Sequence, residues 1–522
     1  MVTKSSISTK LSYLNAKRLI DSVSNQSSNL YVGIGRSQPW GNDALPPDTD
    51  NSLDSEYDAW RDMTAMKRVI SQDMVLGFRR VDWTTGTVYA EYDDAIDLTE
   101  LDFYVYTNEK KVYKCISNNN GSQSTSKPTH VTSGINTTLD GYKWKFMFTV
   151  SDSLIRKFFV TGILPMNNDE FIESESIRGS VDHLKLISGG GGYPLNASID
   201  DDTDLPIFIK GDGNEVSTAR CTIVTSGGVV SLALVTDSGT GYPSAPEINI
   251  PVMIRQVSAS GAVETAFGTA TTGTVGQILT VQIILGGTGY TDGPAIIVLS
   301  SCYGYAETNE NGIITNIDVS TGRSGSGFAI AKAVVIANSI TSAVIRPIIS
   351  PFRGHGASPE RELYARYALM NLNFAYNEGQ DDFTVQNDFR RIVLLDSPFI
   401  YGTSTLATAR TLNAKNTLVI SNISGTFDED DIIYGQTSGA IGLNVDLING
   451  NKIRYIRDET LTNNIDFQIE SISSESGATA TITQILNPEV QPYSGDILFI
   501  NNRTPIDRTS EQIETITLVL EY

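Results

Sequence analysis

Histidines, cysteines and clustered carboxylates are the side chains from which most chemical sites are built, and this chain of 522 residues holds few of the first two. Its three histidines, His130, His183 and His355, stand far apart. None has the His-x-x-x-His or His-x-x-Glu-His spacing that brings two imidazoles to one metal. His355 sits in a glycine loop, Phe352-Arg353-Gly354-His355-Gly356, and reads as an ordinary loop histidine. The cysteines are Cys115, Cys221 and Cys302, an odd number without a Cys-x-x-Cys step. They predict neither a zinc site nor a disulfide framework, and a reducing compartment. Carboxylates cluster at Asp200-Asp201-Asp202-Thr203-Asp204 and at Asp428-Glu429-Asp430-Asp431. Such runs can hold Ca²⁺ through several oxygens, but neither has the spacing of a dedicated calcium loop. They read as solvated acidic turns. No set of residues composes a nucleophile, base and oxyanion donor, so no enzyme activity, metal or cofactor is expected.

Glycine supplies the stronger signal. Gly190-Gly191-Gly192-Tyr193, Gly239-Thr240-Gly241-Tyr242, Gly287-Thr288-Gly289-Tyr290 and Gly325-Ser326-Gly327-Phe328 share a Gly-x-Gly-aromatic pattern, with the aromatics 49, 48 and 38 residues apart. A phosphate cradle would need each copy to open a helix, whereas each lies between strand-like runs. Three copies follow a turn glycine and alternating aliphatics: Gly228 to Val235, Gly276 to Ile283 and Gly312 to Val319. That is the signature of a strand after a turn, repeated as one supersecondary unit. Tyr193, Tyr242, Tyr290 and Phe328 are then turn residues that cap a core.

The rest of the chain supplies the frame. Residues 9–24 read as a helix with Leu11, Leu14 and Leu19 on its apolar face. A second helix is expected over 54–70, from Tyr57, Trp60, Met63, Met66 and Ile70 at helical spacing. A third is expected from Ser358-Pro359-Glu360, with Leu363, Tyr367 and Met370 inward. Phe103–Tyr106 and Val112–Ile116 form a hairpin. In Lys143–Phe148 aromatics alternate with lysines, which predicts one buried face and one wet face. A Ser-Gly-Ala step recurs at Ser438-Gly439-Ala440 and Ser476-Gly477-Ala478, within a predicted small barrel or sandwich. The fold class is therefore mainly β: a β-sandwich core with a few helices in loops, plus inserted β-repeat modules. The segments are 1–184 (core), 185–345 (repeat insert), 346–412 (core), 413–487 (small β insert) and 488–522 (closing core strands).

With 38 Lys+Arg against 60 Asp+Glu the net charge is −22, so no nucleic-acid partner is expected. The doublets Arg79-Arg80 and Arg390-Arg391 read as solvated or ion-paired strand edges. No run approaches the roughly 18 apolar residues of a membrane span, and the polar start, Met1 to Ser6, predicts no secretory leader. Neither a membrane nor a small-molecule substrate is expected as a partner.

Three collinear segments resemble a known family. Tyr31-Val32-Gly33-Ile34-Gly35-Arg36-Ser37-Gln38-Pro39-Trp40, Asp140-Gly141-Tyr142-Lys143-Trp144 and Gly495 to Ile506, with Asn502-Arg503-Thr504-Pro505, are similar to segments of the baseplate wedge subunit (gene product eight type) of T-even-like contractile-tailed phages. Thr504 departs from that family's Pro-Pro pair. The likeness covers roughly 1–180, 350–400 and 488–522, and neither insert has a counterpart. It implies a non-enzymatic β-sandwich subunit of the virion tail baseplate, assembled in the host cytoplasm. It also implies a homodimer that grips other wedge proteins. Gly35, Arg36, Pro39, Trp40, Trp60, Asp140, Gly141, Trp144, Arg503 and Pro505 become the signature or interface candidates. Trp40 reads as core or as a partner anchor, and Arg36 and Arg503 as carboxylate clamps, within the fold or across an interface. The alternative is a host-surface glycan-binding protein whose repeat aromatics stack on sugars.

Overall fold

β1 (Leu30–Gly35) alternates large apolar side chains with two glycines and is buried along its whole length. A strand of that kind must be covered on both sides, and the sheet around it is. In this computed structural model β1 is the centre of five antiparallel strands, ordered Thr411–Asn413, β2 (Met63–Arg68), β1, Asp388–Asp396 and Asp496–Asp507. Leu30, Val32 and Ile34, with Ile392 and Leu394, meet Met370, Leu372, Ile516 and Leu518 of a second sheet. That sheet runs Ile513–Glu521, Tyr367–Ala375, β3 (Met74–Arg79) and Ile163–Pro165. Tyr31, Val393 and Leu395 face the other way, onto Trp60, Met63 and Met66. The result is a sandwich whose larger sheet is covered on both faces.

The structure describes residues 10–188, 344–351, 353–375, 388–456, 465–507 and 513–522, with strand backbones between 205 and 335. The chain forms two compact units. One takes Met1–Phe78, Asp152–Pro165 and Ala365–Tyr522, the other Arg79–Ser151 and Met166–Tyr364.

Local sequence preference is overruled in three places. α1 (Lys10–Ser24) forms as expected but buries Tyr13, Ala16 and Val23, leaving Leu11 and Leu14 exposed. The helix expected over 54–70 stops early. α2 covers only Leu53–Asp62, its first turn capped by the Ser52 hydroxyl, which accepts from the Ser55 amide. Met63–Arg68 then pairs as β2 with β1. Gly35 makes this corner possible, because a Cβ there would lie 2.3 Å from the Asp62 carbonyl oxygen. Ladder bonds to β1 outweigh the modest helix preference of Met, Ala, Lys and Arg. The third helix shrinks to Pro359–Glu362, and Tyr367 and Met370 belong to the strand Tyr367–Ala375. There, pairing on both sides, with β3 and with Ile513–Glu521, decides the outcome.

Six strands between residues 416 and 486 close into a barrel in the order Asn416–Ser424, Lys452–Ile456, Ile441–Ile448, Ile432–Gly435, Ser471–Ser474 and Thr479–Leu486. Leu418, Ile433, Ile453, Phe467, Ile472 and Ile482 fill it. The repeated Ser-Gly-Ala steps are tight turns that deliver Ala440 and Ala478 into this core. The chain enters and leaves the barrel at one spot: the Glu489 amide donates to the Asn413 carbonyl at 2.9 Å, and the Asn413 amide to the Glu489 carboxylate at 2.8 Å.

In the second unit β4 (Tyr104–Tyr106), β5 (Lys111–Ser117), β6 (Ile135–Thr137) and β7 (Lys143–Thr149) form a sheet ordered β4-β5-β7-β6. The wet lysine face expected on β7 is a misreading. Trp144, Phe146 and Phe148 are buried, but so is Lys145, whose ammonium donates to the Ser133 carbonyl. An antiparallel ribbon, Val181–Ser188 against Val344–Ile349, carries the chain out to the repeats and back, with Ser188 opposite Val344. Among the repeats, Val229–Asp237, Ile278–Leu285 and Ile314–Ser324 are strands. Each pairs with the strand before it: Arg220–Ser226, Phe267–Thr272 and Cys302–Thr308. All three hairpins shift register near both ends, so the repeated unit is a bulged hairpin. The four turns bearing Tyr193, Tyr242, Tyr290 and Phe328 lie outside the described residues, as does the acidic run 200–204.

Candidate functional site

Two distant signature segments meet in the first unit. The Trp40 indole nitrogen donates to the Arg503 carbonyl at 2.8 Å, across 463 residues of sequence. Trp40 is buried, and the Arg36 guanidinium lies over its ring at 3.9 Å. Arg391, from an interior strand, approaches the same ring at 5.4 Å. Asp62, at the end of α2, binds both arginines: Arg36 Nη1 at 3.0 Å and Arg391 Nη1 at 2.9 Å. Arg391 Nε donates onward to Asn502 Oδ1 at 2.9 Å. Burial pulls the Arg391 guanidinium down from its usual range, against the charge of Asp62.

Arg36 itself has φ of 62°, the left-handed region. Its surroundings hold it there. Its amide donates to the Asp62 carbonyl at 3.0 Å, and its carbonyl accepts from the Arg390 amide at 3.0 Å. Backbone in that region persists only where neighbours over-determine it. The arrangement is a clasp of one carboxylate, two guanidiniums and an indole. It ties β1, α2, the strand Asp388–Asp396 and the strand Asp496–Asp507 to one point. Pro39 is exposed at its edge, with its carbonyl 3.4 Å from Arg36 Nη2. Pro505 is half-buried in the last strand of the sheet, and Trp60 is buried on that sheet's second face. The Arg503 side chain is exposed and makes no ion pair among the described residues, so it contributes through its backbone. Among the described residues Arg503 holds no carboxylate; the other half of the expectation, a clamp across an interface, needs a partner chain.

The other signature turn lies in the second unit. Asp140 Oδ2 accepts from the amides of Thr125 at 2.7 Å and Ser126 at 2.8 Å, and Oδ1 from the Tyr142 amide at 3.3 Å. Burial alone would raise this carboxyl; bonds from Thr138, Ser126, Thr125 and Tyr142 outweigh it and hold it below the usual range. Gly141 has φ of 81°, and a Cβ there would sit 2.6 Å from Asn119 Nδ2. Tyr142 stacks on the buried Trp144 at 5.4 Å. These residues pin the 124–126 loop to the β6–β7 turn.

His355 is not the loop histidine its sequence suggests. It is buried, and Lys114 Nζ lies 3.1 Å from its Nδ1 and 2.8 Å from Glu362 Oε2. Glu362 Oε1 accepts from the Gly356 amide at 2.8 Å, and the Lys114 ammonium lies 4.0 Å over the Tyr92 ring. Burial lowers the pKa of both Lys114 and His355, the imidazole well below its usual range. His183 bonds Glu91 at 3.3 Å, and His130 accepts from the Tyr113 hydroxyl through its carbonyl at 2.8 Å. Among the described residues, no three His, Cys, Asp or Glu side chains are placed to share a metal ion.

The second acidic run departs from its solvated reading. Asp428 is exposed, but Glu429 and Asp430 are half-buried against the first sheet. Ser37 Oγ donates to Asp430 Oδ1 at 3.2 Å. Arg390 is held by Asp43, at 3.0 and 2.9 Å, and by Asp388. Burial, then the charges of Asp388 and Asp430, push the Glu429 carboxyl up to about 8. Asp388 and Asp430 are raised as well, in each case by burial first. The doublet Arg390-Arg391 is therefore buried in an interior strand, not at an edge. Arg79 and Arg80 do form half-exposed pairs, with Asp102 at 2.6 Å and Asp82 at 2.9 Å.

Sequence reasoning missed Asp62 and Arg391 as partners of the signature. Their one visible trace was the arginine doublet. Compared with known proteins, the chain matches no family model and no curated protein.

Proposed function

We propose that the chain is a structural subunit of a contractile-tail baseplate wedge, acting by docking to neighbouring proteins and not by catalysis. The carrying observation is the clasp: the two segments that resemble the wedge family, Gly35 to Trp40 and Asn502 to Pro505, meet through the Trp40–Arg503 bond. Two short matches 463 residues apart converge on one local structure, as parts of a single family signature would. The clasp closes the sandwich from which the barrel leaves. Its charged groups bind one another and the backbone, which suits a rigid mount.

Tagged chain expressed with the tail genes of its source is expected to sediment with assembled tails. Electron microscopy of the labelled particles should place it at the baseplate. A chain that stays solitary while complete tails form overturns the reading.

A further inference from the structure

α2 presents an apolar surface that the sandwich does not cover. Leu53 and Tyr57 lie one turn apart on the same side of the helix, 67% and 53% exposed. Tyr493 joins them: it is 58% exposed, with its ring edge-on to Tyr57 at 5.5 Å and tilted over the buried Trp60 at 6.3 Å. Its φ is 61°, a region bulky side chains rarely adopt. The next residue anchors this corner, since Ser494 Oγ accepts from the Phe399 amide at 2.9 Å and donates to the Gln491 carbonyl at 2.6 Å. The backbone is thus held in a costly conformation that keeps a tyrosine ring at the surface.

The rim around these rings is acidic. Residues 48–61 contain five carboxylates and one arginine. That arginine, Arg61, is engaged with Asp58 at 2.9 Å and Asp62 at 3.6 Å. A second copy would bring the same acids rim to rim, which like-charge repulsion disfavours. Tyrosine faces edged with carboxylates instead suit guanidinium groups, which stack on the ring and pair with the acid.

We propose that Leu53, Tyr57 and Tyr493 form a docking surface for an amphipathic helix of another protein, bearing leucine and arginine on one face. The proposal deepens the wedge reading by naming the chemistry of a neighbour, and it rests on that reading for the neighbour's source.

The test uses the full chain and two synthetic helices of equal length, one of Leu and Arg, the other of Leu and Glu. Fluorescence anisotropy near physiological salt is expected to show the Leu/Arg helix binding the wild type. Tyr57→Ser with Tyr493→Ser should weaken it by about tenfold or more. Tyr57→Phe with Tyr493→Phe should retain it, as should Leu11→Ser with Leu14→Ser on α1. Unchanged affinity in the serine pair, or equal binding of the Leu/Glu helix, overturns the proposal. So does a wild-type dimer in sedimentation that the serine pair dissolves, which gives the face to a second copy. No virion is needed, so failure here leaves the wedge reading standing, and exclusion from tails leaves this surface standing.

Discussion

Two corners of the first unit hold acidic side chains away from water, and they do it in opposite ways. At Asp62 the sequence brings the guanidiniums of Arg36 and Arg391, with Arg61 at 3.6 Å, to one carboxylate. At Glu429 it brings carboxylates to one another, with Asp388, Asp430 and Asp446 all adding negative charge. Glu429 Oε1 has no hydrogen-bond partner among the described residues. The first corner is closed by ion pairs, the second by holding a proton. Burial alone does not decide which; the supply of donors does.

That contrast breaks most visibly at Asp62. Asp62→Ala leaves Arg391 buried without its counter-charge and is expected to cost about 3–5 kcal/mol, measured by urea denaturation. A loss under about 1 kcal/mol, the value of a surface pair, would mean the clasp is not what closes the sheet. Gly35→Ala drives a methyl into the Asp62 carbonyl and is expected to cost about 1–3 kcal/mol. Trp40→Phe keeps a ring for Arg36 and removes the bond to Arg503, for about 1 kcal/mol.

The variant that sharpens the contrast is Glu429→Gln, and it is read as a slope against pH. Folding raises this carboxyl from 4.5 to about 8. The folded form therefore binds the proton more tightly, and the stability this brings is complete below the unfolded value. It is lost as pH rises through the folded one. Wild-type stability should fall between about pH 4.5 and 8 more steeply than that of Glu429→Gln. Parallel pH profiles would show that the corner is not proton-held. Lys415 runs the other way. Burial brings it down to about 7, so the stability it brings is complete above its usual 10.5 and lost as pH falls through 7. Lys415→Met should flatten the profile on that alkaline side.

The mainly-β class was legible because alternation and turn glycines report local geometry directly, as in the runs that became Val229–Asp237 and Ile278–Leu285. Met63–Arg68 was not, because most of its residues suit a helix and only pairing with β1, in the room left by Gly33 and Gly35, makes it a strand. The same limit hid Lys114 and Lys145. A lysine on an alternating strand looks solvated until a distant carboxylate or carbonyl is brought to it, here Glu362 and Ser133. Trp40 and Arg36 were singled out by motif. Their actual partners, Asp62 and the Arg503 carbonyl, required the fold.

Both inserts share one feature of attachment. The barrel hangs from Asn413 and Glu489, which are hydrogen-bonded to each other, and the repeats from the paired Ser188 and Val344. Each therefore spans a gap that an ordinary hairpin turn could bridge. Replacing either by a short turn asks little of the backbone that flanks it: the strand pairing on each side already holds the two ends at the separation a turn would bridge.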